Sequence, residues 1–467
     1  MIEWVRRHPF WTGALLFVAC LVFHGYNALQ LYLDVTAFNR MMAKDPPLAP
    51  LADIASWPVS QRYEIDLASG FEPPDWVPGA PSLGDLVDSS RGENMFGPDD
   101  GIRKYLEHVP ERARMQDELV RRLTRVVASW PVAGPEREFN HPLAPSPHFR
   151  KARDTARFWC LLAWDLARQG DSRRALLAIC GPAILGSYLE IRETQVESST
   201  LLGVMVGSAL RRMSGLGLAE LAPSLKLSKA LAQEVLGWLE AVEAHAIPFQ
   251  RALRREKNLL PSIAHFVTQE IEKGHALRLY GRNPRAMVRV FANRRLIDSY
   301  LDPVFGEAIK AAEQPYPVAR SLWKEVDRRN RELVCRIDQL GWHWLGYALR
   351  PERYLLDAYA TLAVPNVTKS YTQWLTGKAV LRGGAAAVVI HAYRQEKNAW
   401  PDTIAQLQTW LEGKRYPIDP FTNAPFAYEG GTAPRLFSPG PDLATGTSDD
   451  LTFPLLPASE TGPTGRR

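Results

Sequence analysis

The sequence predicts a mainly α chain with a membrane-spanning helix at its amino end, an irregular multi-helical domain, and a small α+β module at its carboxyl end. Three observations predict it. Residues 10–33 carry no acidic or permanently cationic side chain. Apolar residues recur at helical spacing almost throughout 150–364. Past residue 397 the pattern breaks into short aromatic stretches between prolines and glycines, which read as strands joined by turns. The chain divides into an anchor (1–35), a proline-rich linker with one helix (36–149), a multi-helical domain (150–364), a long helix with the α+β module (365–453) and a disordered tail (454–467).

The first element is the anchor. Residues 10–33 are long enough for the ~20 that span a hydrocarbon core. Arg6 and Arg7 precede the segment and Asp34 follows it, so the positive-inside rule keeps the short amino end cytoplasmic and exports the rest. A cleaved signal peptide lacks a clean small-x-small site here, which favours an uncleaved signal-anchor. Cys20 is a poor lipoprotein cysteine, because Leu21-Val22-Phe23 continue the apolar run. These features imply a bacterial inner-membrane protein that crosses once, with its bulk in the periplasm.

Between 45 and 98 the prolines cluster, and each removes a donor and fixes φ, so no regular element is expected there. Ile102, Tyr105, Leu106 and Val109 open a helix over 100–129. Residues 158–179 follow as a pair of helices about Gly170-Asp171, with Ala163, Ala167 and Ala175 allowing close approach; the pair resembles one tetratricopeptide-type hairpin, without a clear second copy. Further helices are expected at 191–213, 225–246, 249–275, 284–312 and 316–346, punctuated by Pro182, Pro223, Pro248, Pro284 and Pro315. A long helix then runs from Pro365 to Lys397, with Gly383-Gly384 as an internal weak point.

The stretch after it carries a family likeness. AVVIHAYRQEKNAWPDTIAQL, then YPIDPFTNAPFAY, then RLFSPGPDLATGTSDDLTF occur in order over 385–453. This resembles the globular part of the major pseudopilin of type II secretion systems, with Asp419-Pro420-Phe421 standing at that family's Asp-Pro-aromatic turn. The chain lacks the prepilin cleavage site, and a long helical region separates its apolar segment from the module, so it is not expected to be a filament subunit. The whole chain also looks similar to membrane-anchored helical bacterial proteins that end in this module. The resemblance implies calcium in the last loop, held by Asp442, Asp449 and Asp450 with the Ser438 carbonyl. Calcium takes carboxylate and carbonyl oxygens in flexible geometry, and a Gly/Ser/Thr loop offers that; a solvated acidic turn is the simpler alternative.

The remaining constellations are weaker. The balance of 56 basic and 51 acidic residues leaves +5, too little to imply a nucleic-acid partner. Arg278, Arg282, Arg285 and Arg289 offer an anionic-lipid contact, although a solvated face explains them more simply. Glu190, Glu193 and Glu197 share a helical face and read as a surface stripe. Cys160 and Cys180 lie equally far from the Gly170 bend, as a disulfide or, more simply, as two small core residues. No Walker A loop, Gly-x-Gly-x-x-Gly, Gly-x-Ser-x-Gly or His-Glu-x-x-His occurs, so no catalytic residue is assigned and no cofactor beyond calcium. The expectation is binding or assembly at the envelope, linked through the resemblance to secretion- or pilus-type machinery. The alternative is an envelope enzyme whose site lies in a cleft of the helical domain.

Overall fold

The computed structural model describes residues 149–195, 201–244, 246–254, 256–257, 294–338 and 366–456. The anchor 10–33, the linker, the helix at 100–129, and Arg278, Arg282, Arg285 and Arg289 lie outside the described residues. What is described is mainly helical with a small strand region, and among these residues no helix is long and apolar enough to cross a membrane.

Helices α1 (Phe149–Arg168) and α2 (Ser172–Gln195) form an antiparallel pair. The chain reverses at Gly170, whose φ of +82° suits a residue without a Cβ. Asp171 then caps α2 by accepting from the Arg174 N–H. A small residue not singled out in the sequence also serves the pair: Trp159 of α1 lies against Gly181 of α2, where an added Cβ would press on the indole. Cys160 and Cys180 are both buried and both free, so the structure has no disulfide here.

Pro182 departs from the reading of it as a stop, because it sits inside α2. Its missing N–H and its ring disturb the local ladder, and the next donor finds its acceptor outside the helix: the Ala183 N–H donates to Ser214 Oγ of α3 at 2.8 Å. The expected helix over 191–213 is likewise not one element, since α2 ends at Gln195 and α3 spans Leu201–Leu221. A short 3₁₀ turn at Pro223 leads to α4 (Lys229–Ala244). Residues 249–254 are helical, α5 covers Arg294–Ala312 with Pro303 inside it, and α6 covers Tyr316–Asp338.

Helix α7 (Val367–Lys397) organises the rest. Asn366 starts it by accepting from the Lys369 N–H, and Asn398, left-handed at φ 53°, ends it. Its apolar residues are buried nearly all round because two cores share it. Leu381 and Val388 to Ile390 pack with α1 to α4, while Tyr371, Trp374 and Leu375 pack with α5, α6 and Phe249. Gly383-Gly384 is therefore not a weak point. A Cβ on Gly383 would collide with the Phe453 ring, and one on Gly384 with the Gly215 carbonyl of α3. Bare backbone is what lets the neighbours approach.

The module closes over the far half of α7. Helix α8 (Ile404–Trp410) is capped by Thr403. Strands β1 (Ile418–Asp419) and β2 (Ala424–Pro425) form a hairpin. Strands β3 (Ala427–Glu429), β4 (Arg435–Ser438) and β5 (Leu451–Phe453) form an antiparallel meander with Leu436 opposite Phe453. Leu455, two residues past β5, is still buried in the first core, so order extends beyond the expected start of the tail.

Candidate functional site

The acidic loop joins β4 to β5. It opens with a 3₁₀ turn, Gly440–Asp442, followed by Leu443 in the left-handed region at φ 60°. Gly440 is itself at φ +65°, and a Cβ there would run into the Asp449 carbonyl. The turn brings Asp442 beside Asp449, whose Oδ2 accepts from the Asp442 N–H at 3.0 Å. The other contacts close the loop on itself. Asp442 Oδ1 accepts from the Ala444 N–H at 2.8 Å, Asp450 Oδ2 from the Gly446 N–H at 2.8 Å, and Asp449 Oδ1 from the Thr447 hydroxyl at 2.6 Å. Burial works to raise the Asp449 carboxyl, yet the Thr447 and Asp442 donors hold it below the usual carboxylate range.

The Ser438 side chain, as distinct from the carbonyl named above, has a task of its own. Its buried hydroxyl donates to Asp419 Oδ2 at 2.8 Å and accepts from the Gly440 N–H at 3.1 Å. Asp419, itself fully buried, also accepts from the Phe421 N–H at 2.9 Å. Among the described residues, no group of three or more His, Cys, Asp or Glu side chains is arranged to hold a metal ion. As it stands, the loop is a closed hydrogen-bonded turn. It is anchored from outside by the Tyr316 hydroxyl of α6, which donates to the Pro441 carbonyl at 2.8 Å.

A second site was not legible as such in the sequence. Where α2, α3, α4 and α7 meet, five charged side chains gather, two of them fully buried and three half-buried. Glu190 is fully buried rather than part of a surface stripe, and its Oε2 accepts from Arg211 Nη2 at 2.6 Å and from the Ile247 N–H at 3.2 Å. The Ser187 hydroxyl also accepts from Arg211 at 3.2 Å. Gly207 makes the room, for a Cβ there would lie 2.5 Å from Glu190 Oε1. Glu190 Oε1 and Arg211 Nη1 are both buried without a hydrogen-bond partner. Glu193 and Glu197, the other members of the expected stripe, carry no described side chain.

Arg382 grips Glu243 of α4 through two hydrogen bonds, at 2.5 and 2.8 Å, and donates a third to the Ile418 carbonyl at 3.0 Å. Burial tends to raise the Glu243 carboxyl, but Arg382, with Lys378 and Arg211 close by, brings it below its ordinary value. One turn before Arg382, the half-buried Lys378 places its amine 4.6 Å from the centre of the Trp374 ring. Burial lowers its pKa to about 8, with Arg382 and Arg211 adding to the effect and Glu243 and Glu190 opposing it. The sequence did hold a signal: Lys378 and Arg382 stand four apart in a stretch, 374–390, otherwise made of small and apolar residues.

The buried thiols of Cys160 and Cys180 are pushed up to about 12 by desolvation, so neither is a reactive nucleophile. No protein family, curated protein or solved structure matches the chain.

Proposed function

We propose that this chain is a single-pass, membrane-anchored envelope protein whose exported helical body presents a pseudopilin-like cap, and that it works by binding or assembly with secretion- or pilus-type components. The observation that carries the reading is the order of elements after α7. A long helix, a short helix, a two-strand turn at Asp419 and a three-strand antiparallel meander follow one another as the resemblance implies. The antiparallel α1–α2 pair, with Gly181 against Trp159, supports a tetratricopeptide-like element in the body. Arg278, Arg282, Arg285 and Arg289 belong to the proposal as a contact with anionic lipid headgroups. A shared fold does not fix a function, so the partner class rests on the resemblance.

The test is a pair of reporters fused after Asp34 together with cross-linking in native membranes. Phosphatase activity outside the cytoplasm, and cross-links to pilin- or secretion-type proteins, are the expected results. A fluorescent reporter that glows in the cytosol overturns the placement. Cross-links that never include such components overturn the partner class.

One observation favours the second reading, an envelope enzyme. The charged junction of Glu190, Arg211, Glu243, Lys378 and Arg382 is a convergent set with a strongly shifted amine, and such sets are enriched where chemistry is done.

A further inference from the structure

We draw no further inference here: the strongest candidate, the fully buried Glu190–Arg211 pair between α2 and α3 with its two orphaned atoms, Glu190 Oε1 and Arg211 Nη1, belongs to the charged junction already described, and nothing in the structure shows what those atoms would hold.

Discussion

His391 lies 2% exposed on the inner face of α7, edge-on to Trp400 at 5.4 Å, with its Nε2 lacking a hydrogen-bond partner. Burial, with Arg394 adding repulsion, pushes its pKa down from 6.5 to about 4. Its neutral form is thus the one the fold accommodates. Above the unfolded pKa this group adds no pH dependence. Below it the unfolded chain takes the proton first, and stability drains away until the folded pKa is reached. The loss amounts to about 3 kcal/mol at ~1.4 kcal/mol per unit. Denaturant titrations between pH 6.5 and 4 should show the native chain losing that much more than His391→Leu; parallel losses would remove the imidazole from the account. No sequence pattern marks this histidine, since its shift comes from what surrounds it. Glu190 was opaque for the same reason. Helical spacing put Glu190 on one face with Glu193 and Glu197, but only the packed helices show that this position of α2 is buried.

Helices α3 and α7 cross with their backbones in contact, and this governs how glycine should be read within an element. Gly215 and Gly384 face each other there, and Gly377 faces Ser208, whose hydroxyl donates to the Gln373 carbonyl at 2.7 Å. Gly384→Ala should cost about 3 kcal/mol, because carbonyl oxygens of the partner helix cannot step aside as a side chain can. Gly237 in α4 is the control: nothing lies within 4 Å of an added Cβ, so Gly237→Ala should stabilise by about 0.5–1 kcal/mol through helix propensity alone. Equilibrium urea unfolding of the two variants checks the signs, and a mild effect at Gly384 would contradict the close crossing. Much at this scale was legible beforehand. Asn366 and Lys397 bound α7 near its expected limits, the hairpin turns at Gly170, and β3 and β4 lie on the expected aromatic stretches. Local rules misread Pro182 and Gly383-Gly384, because the groups that accommodate them, Ser214, Phe453 and Gly215, are remote in sequence.

Across the whole molecule, the acidic loop and the helical body are joined. Tyr316 holds Pro441, Leu443 packs on the second core, and Tyr316 meets Phe421 edge-on at 5.3 Å. Calcium, which the resemblance implies, would have to draw Asp442, Asp449 and Asp450 from their present donors. Carboxylates retain lone pairs for that, as each oxygen accepts more than one bond. If it binds, the gain should reach the melting temperature of the whole body, by roughly 2.7 kcal/mol at a hundredfold excess over Kd. Calorimetry should show the rise in the native chain and its absence in the Asp449→Ala, Asp450→Ala double variant. A native chain indifferent to calcium removes the metal. The continuity of α7 has a further consequence. One rod serves as wall to both chambers, so no seam exists along 367–397 where a protease, a gene rearrangement or a deletion could part the head from the trunk and leave each half clothed. A head transplanted onto another trunk would have to bring this helix along and find there a backbone as bare as that of Gly215.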